Sequence, residues 1–242
     1  MNESLIIRLL LFIPCYWISA IIHELGHVIV GWAHGWKLFV FVVSPIGIKR
    51  KDDKITNRLT LYFEKNPVNW AGIAGIYPVR EDKFTTKAWS RVLLGGSIAS
   101  IISGIIFSLI FFIHFHYIWL LLSVMTVLMG IVCLIPAKTS GTYTDGKRWR
   151  RLRNGGQESE EEIALFKMLF YELFEKDKSL MRKDEFEALL QAEHPTFRYY
   201  GYYYLYLFSD FNNDSENKEK ALDVLQSMKN SVSKAVINDC GV

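Results

Sequence analysis

Residues 9–36 read LLLFIPCYWISAIIHELGHVIVGWAHGW, a run that contains one acidic residue, Glu24, and no lysine or arginine. It is longer than the about 20 residues that an α-helix needs to cross a bilayer. Within it, His23-Glu24-Leu25-Gly26-His27 forms an HExxH motif. On a helix, His23 and His27 project from one face and can bind the same zinc ion. The stretch therefore predicts a membrane-spanning helix that carries a metal site.

The HExxH motif predicts hydrolytic chemistry. Zinc lowers the pKa of a bound water to about 7 and polarises a carbonyl, and Glu24 would pass the water's proton to the leaving amine. The motif also occurs by chance, but two histidines and a carboxylate in an apolar helix are costly unless they are paired or bind a metal. The alternative is a hydrogen-bonded cluster between helices. Gly26, inside the motif, favours close approach of a second helix.

Two further runs, 92–113 and 117–136, contain no charged residue. Together with the first run they predict three spans, at about 6–33, 92–113 and 117–136. The first run continues through the motif without a small-residue cleavage site, so we expect it to be retained rather than removed as a signal peptide. The expected fold is a mainly α, polytopic membrane protein whose three-helix metalloprotease core covers residues 1–153.

The distribution of positive charge predicts the orientation in the membrane. Lysine and arginine are frequent in the 35–91 loop and again after the third span, whereas the turn His114-Phe115-His116 has neither. By the positive-inside rule the loop and the tail are cytoplasmic, and the amino terminus is outside, in a cell membrane of the prokaryotic type. The net charge of +3 is too small to indicate nucleic-acid binding, and the three scattered cysteines form no disulfide framework or second metal site.

A catalytic zinc site needs a third protein ligand and an open fourth position for water. Asp145 is the only acidic residue between Asp82 and Glu158, and it follows the third span, which ends at the same membrane face as the motif. We therefore expect Asp145 to complete the site. The alternatives are His34, seven residues after His27, and the loop glutamates Glu64 and Glu81.

These motifs resemble the site-2 protease (M50) family of intramembrane zinc metalloproteases. In that family a later helix carries Asn-x-x-Pro followed by Asp-Gly, and its Asp completes the zinc site. Cys133-Leu134-Ile135-Pro136 is similar to the first element, with Cys in the Asn position, and Asp145-Gly146 to the second. Gly95 to Ser100 is similar to the family's Gly-x-Pro-x-x-Asn, with Ser97 and Ser100 replacing Pro and Asn. The resemblance implies that Ser100 stands where the family contacts substrate.

The 35–91 loop contains strand patterns at 37–43 and 59–63. The apolar, Gly-rich segment 69–78 is too short to span a membrane. It predicts a membrane-dipping hairpin, or an edge strand beside the catalytic helix that holds an unwound substrate segment by strand addition. Gly72 and Gly75 are the substrate-binding candidates there. The alternative is a small sheet that only caps the helices.

Beyond a linker at 154–157 the composition becomes polar and charged. Helices are expected at 158–176, 183–193, 196–209 and 216–231, so residues 157–242 form a cytoplasmic helical domain. The helical pairs suggest a tetratricopeptide-like array, although no 34-residue repeat is evident. This domain is either a module that binds a cytoplasmic protein partner or selects substrates, or a stabilising cap.

The sequence thus predicts an intramembrane zinc endopeptidase that cleaves transmembrane or membrane-adjacent segments of a protein substrate. Glu24 is the expected catalytic base, and His23, His27 and Asp145 are the expected Zn²⁺ ligands. The alternative is a catalytically altered membrane scaffold that recruits cytoplasmic partners through its tail, which the departures at Ser97, Ser100 and Cys133 leave open.

Overall fold

The computed structural model describes residues 10–50, 58–80, 83–139, 143–172, 179 and 181–241. The chain is mainly helical, with one small antiparallel sheet. It divides into two compact units, Met1–Ile135 and Pro136–Val242, and the division follows the end of the third apolar helix. The domain limits expected from the sequence, 1–153 and 157–242, stay predictions.

Three long helices build the first unit: α1 (Phe12–Ala33), α2 (Thr86–His114) and α3 (Tyr117–Leu134). All three are long and apolar enough to cross a membrane. They correspond to the three spans expected from the sequence, although residues 6–9 lie outside the described part of the chain. α2 begins six residues earlier than expected because Thr85 caps it, with the backbone N–H of Ala88 donating to the threonine Oγ1 at 3.1 Å.

The three helices pack through small residues. A side-chain Cβ on Gly26 would lie 2.6 Å from the Cβ of Ala99, so the crossing of α1 and α2 requires glycine there. Ser19 on α1 shares a 2.9 Å hydrogen bond with Thr126 on α3. Ser123 donates at 2.8 Å to the carbonyl of Gly104 on α2. Close backbone approach and interhelical hydrogen bonds are the forces that hold apolar helices together when lipid surrounds them.

A four-stranded antiparallel sheet follows α1 after two residues, in the order β3-β2-β1-β4. Its strands are β1 (Trp36–Val43), β2 (Ile46–Arg50), β3 (Leu59–Phe63) and β4 (Ile73–Pro78). β1 and β3 agree with the strand patterns at 37–43 and 59–63. The 69–78 segment is divided between a 3-10 turn at Pro67–Ala71 and β4, which lies at one edge of the sheet.

Strand β2 was not predicted from the sequence. Its sequence, IGIKR, has two isoleucines that favour a strand, but also a glycine and two basic residues that do not. Tertiary packing explains it: a Cβ on Gly47 would lie 2.6 Å from the ring of Tyr62, so the glycine makes room for the cross-strand tyrosine.

The second unit contains six helices among the described residues: α4 (Asp145–Asn154), α5 (Gly156–Phe170), α6 (Lys183–Leu190), α7 (Pro195–Phe211), α8 (Ser215–Met228) and α9 (Lys234–Cys240). Four of them match the helices expected at 158–176, 183–193, 196–209 and 216–231, apart from 173–178, which lie outside the described residues. The core is largely aromatic and apolar, with fully buried side chains at Phe186, Phe197, Tyr199, Tyr204 and Leu225. The tyrosine-rich run of α7 is thus core, as its composition indicates.

Candidate metal centre

The two histidines of the HExxH motif converge in the interior of the first unit. His23 and His27 are 5% and 8% exposed, and their Nε2 atoms lie 3.3 Å apart. The intervening Leu25 is 39% exposed on the outer face of α1. This division follows from helix geometry, since residues four apart share a face.

Helix α2 holds the other nitrogen of each ring. His27 Nδ1 lies 2.7 Å from the carbonyl oxygen of Val92, and His23 Nδ1 lies 3.1 Å from Ser100 Oγ. The Val92 carbonyl can only accept, whereas the backbone nitrogen of Gly96 lies 3.3 Å from the same Nδ1. The shorter contact favours a proton on His27 Nδ1, which leaves the Nε2 lone pair for a metal. Metal-binding histidines characteristically donate their second N–H to such a partner, which fixes both the tautomer and the ring orientation.

Gly96 allows α2 to come this close. A Cβ at this position would lie 2.8 Å from the backbone oxygen of His23 and would collide with His27 Nε2. A Cβ on the preceding residue, Gly95, would lie 2.6 Å from the backbone oxygen of Gly26. Any larger side chain at Gly96 would occupy the space in which the two imidazoles converge.

Asp145 is the third member of a candidate ligand group. His23, His27 and Asp145 each present one ligand atom, and these atoms all lie within 4.8 Å of one another. Asp145 is the first residue of α4, and Thr144 caps the helix through the backbone N–H of Lys147. Among the described residues, this is the one group of three or more His, Cys, Asp or Glu side chains close enough to share a metal.

The donor set fits a metal ion. Two imidazole nitrogens and one carboxylate oxygen are a recurrent catalytic zinc set, and ligand atoms about 2.0–2.1 Å from zinc in a tetrahedron lie roughly 3.3 Å apart. The separation of the two Nε2 atoms matches this value. Two nitrogen lone pairs at that distance repel each other unless a proton or a cation lies between them. His23, His27 and Asp145 could therefore bind a metal ion.

The other ligand candidates lie elsewhere. His34 is at the C-terminal cap of α1, where its backbone N–H bonds to Gly31 and Val30, and it is not part of the group. Glu64 accepts the backbone N–H of Asn66 at 2.8 Å and the Tyr62 hydroxyl at 3.2 Å, which lowers the pKa of its carboxyl. Glu81 lies outside the described residues.

Glu24 is half-buried beside the histidines, next to a backbone turn. A Cβ on Gly72 would lie 2.8 Å from Glu24 Oε1, and Gly72 has φ = +129°, a conformation suited to glycine. The Tyr16 hydroxyl donates at 3.2 Å to the carbonyl of Ala71, the preceding residue. The Pro67–Gly72 turn therefore runs along the face of α1 that carries Glu24. Gly75 is three residues further on, in β4, where it pairs with Val40 of β1.

Ser100 is fully buried and bonds to His23, so its observed contact is with a ligand residue. Substrate binding by Ser100, Gly72 and Gly75 stays a prediction. Neither Val92 nor Tyr16 was predicted from the sequence, and neither has a signal there: Val92 acts through its backbone, and Tyr16 lies two turns before the motif. Gly96 lies within the Gly95–Ser100 segment that resembles Gly-x-Pro-x-x-Asn, but no role was predicted for it.

Comparison of the chain with protein-family models, with curated proteins and with solved structures found no match. The chemistry of the centre itself is therefore what indicates the function.

Proposed function

We propose that this protein is an intramembrane zinc endopeptidase, similar in its motifs to the site-2 proteases. One observation carries the proposal: the Nε2 atoms of His23 and His27 lie 3.3 Å apart, and these histidines and Asp145 offer ligand atoms that all lie within 4.8 Å of one another. Glu24 lies next to His23 in the motif. The helix that bears three of these residues is long and apolar enough to cross a membrane. A water-using site within such a helix suits hydrolysis of a membrane-embedded bond.

Each residue has a role in this proposal. A zinc ion held by His23, His27 and Asp145 would supply Lewis-acid activation of a water and of the substrate carbonyl. Glu24 takes a proton from the water and gives it to the departing amine nitrogen. Val92 and Ser100 orient the two imidazoles through their Nδ1 atoms. His23, His27 and Asp145 are the three residues that would hold the metal ion.

The proposed substrate is a transmembrane or membrane-adjacent segment of another protein. A helical peptide bond is hydrogen-bonded and shielded, so the segment must unwind before it is cleaved. Strand β4 lies at the edge of the sheet and follows the turn that contacts Glu24, so its backbone suits an extended segment added as a further strand. We propose a cell membrane of the prokaryotic type, with the 35–91 loop and the tail in the cytoplasm and the tail available to a protein partner.

Glu24→Gln tests the chemistry. The substitution keeps the metal ligands but removes the proton acceptor, so zinc content should stay at the wild-type level while cleavage falls by about 10²- to 10⁴-fold. Cleavage is measured by co-expression with a panel of tagged single-span membrane proteins, and zinc by elemental analysis of protein purified in detergent. Wild-type cleavage by Glu24→Gln would disprove the mechanism. Bound zinc with no cleavage of any panel member by wild type would favour the scaffold alternative.

Asp145→Ala and His34→Ala test the ligand set. Each of Asp145→Ala and His27→Ala leaves two protein ligands, so we expect both to lose zinc to a similar extent. His34→Ala is the matched control and should retain zinc, since His34 is not part of the group. Full zinc content in Asp145→Ala together with loss in His34→Ala would overturn the assignment.

A further inference from the structure

Helix α4, which begins with Asp145, has almost no apolar surface with which to pack. Its sequence is DGKRWRRLRN, and only Gly146, Arg151 and Leu152 are buried. A ten-residue helix is not stable by itself in water. The position of its first residue therefore depends on what holds the rest of the helix.

Charged contacts to α5 hold it. Arg151 is 2% exposed and reaches three glutamates of α5: Glu161 at 2.5 Å, Glu162 at 3.1 Å and Glu158 at 3.4 Å. Arg148 adds a bond to the second oxygen of Glu162 at 2.9 Å. Glu161 and Glu162 are themselves buried, so each relies on the arginines for compensation of its charge.

Aromatic rings close the other sides of Arg151. Its guanidinium lies 4.5 Å from the centre of the Tyr143 ring and 5.2 Å from that of Phe197, which is fully buried in α7. The start of α4 is fixed as well, because Thr144 and Ala137 pair through backbone and side chain. Arg151 thus connects the Asp145 helix to the core of its own unit.

We propose that Arg151 is a positioning residue for Asp145, so that the fold of the α5–α7 core and the metal affinity of the centre are coupled. This inference rests on the proposed function, in which Asp145 is a metal ligand. Reciprocity follows from linkage: a partner that displaces α5 or α7 would weaken metal binding, and metal binding would stabilise the α4–α5 pair. The tail then regulates the centre, in addition to any role in recruiting partners.

The test is the zinc dissociation constant of the full chain in detergent, by competition with a chromophoric chelator below the melting temperature of every variant. Arg151→Met keeps the side-chain length but removes the ion pairs, and we expect it to weaken zinc binding about tenfold or more, as loss of a supporting contact does. Two controls should bind as wild type: Arg150→Met, at an exposed position of α4, and Leu225→Ala, a buried truncation in α8.

Wild-type affinity in Arg151→Met, or an equal loss in Leu225→Ala, would overturn the inference. If Arg151→Met unfolds the tail, Glu162→Gln replaces it with the same expectation, and zinc retained by the unfolded variant also counts against coupling. His23→Ala separates the two proposals. If it binds zinc as wild type does, the metal centre is wrong; if it loses zinc while Arg151→Met does not, only the coupling is wrong.

Discussion

Ser97 and Ser100 lie one turn apart on α2, and both are fully buried. Ser100 bonds to His23 Nδ1, whereas Ser97 Oγ has no hydrogen-bond partner within the described part of the chain. Ser100, which stands in the Asn position of the Gly-x-Pro-x-x-Asn pattern, therefore contacts the candidate metal ligand His23 directly.

This pair provides a matched prediction. Ser100→Ala should weaken zinc binding by about 10- to 100-fold, because His23 loses the group that orients it. Ser97→Ala should bind zinc as wild type does, since no bond is lost. Chelator competition on the purified variants measures both. Equal affinities in the two variants would show that Ser100 does not orient His23.

Gly72 lies close to the carboxylate of Glu24 and leaves no room for a side chain of its own. In Gly72→Ala the new Cβ would lie 2.8 Å from Glu24 Oε1, at a backbone φ that disfavours any side chain. We expect zinc to be retained and cleavage to fall at least tenfold, since displacement of a catalytic group by about 1 Å has large effects on rate. Gly35→Ala is the control for backbone strain: its φ is +74° and nothing lies near its Cβ position. A cleavage rate equal to that of Gly35→Ala would argue against this constraint.

At the scale of elements, the glycines of α2 perform two separable tasks. Gly96 leaves space for the histidines, whereas Gly104 leaves space for Val127 of α3, with a Cβ position 3.1 Å from that residue's backbone nitrogen. Replacing either glycine with alanine overpacks a helix crossing, which costs about 1–3 kcal/mol of unfolding free energy.

The two variants should nevertheless differ in zinc. Gly96→Ala should lose zinc, because its Cβ collides with His27 Nε2. Gly104→Ala should lower the melting temperature but keep zinc, because its Cβ position faces Val127 and Ser123 of α3 and neither histidine. Thermal unfolding and metal analysis on the same samples decide this. Retention of zinc by Gly96→Ala would mean that the centre adapts to the lost space.

At the scale of the whole molecule, orientation is the property still to be measured. In a background without native cysteines, a membrane-impermeant maleimide should label His114→Cys in intact cells, because the α2–α3 turn is expected outside. Lys65→Cys in the loop and Glu219→Cys in the tail should react only after lysis. All three positions are exposed. Labelling of Lys65→Cys in intact cells would invert the topology and place the centre in the opposite leaflet.

The sequence by itself determined what depends on local spacing. The lengths of the apolar runs predicted three helices that are long enough to cross a membrane. The four-residue spacing of His23 and His27 predicted that both lie on one helix face. Alternation and capping signals predicted β1, β3 and most tail helices. These features follow from interactions within a few residues of one another, which the order of residues encodes directly. Asp145 was predicted as third ligand because it is the only acidic residue between Asp82 and Glu158, and it belongs to the candidate ligand group, but that grouping is not a local feature.

The tertiary structure alone decided which distant groups surround the site. The bonds from His23 to Ser100 and from His27 to Val92 span 77 and 65 residues, and one of them uses a backbone oxygen that has no sequence signature. The contact of Gly72 with Glu24, the strand at Ile46–Arg50 and the burial of Arg151 among glutamates were equally invisible. Each depends on the close approach of separate elements, where packing and charge compensation override local propensity.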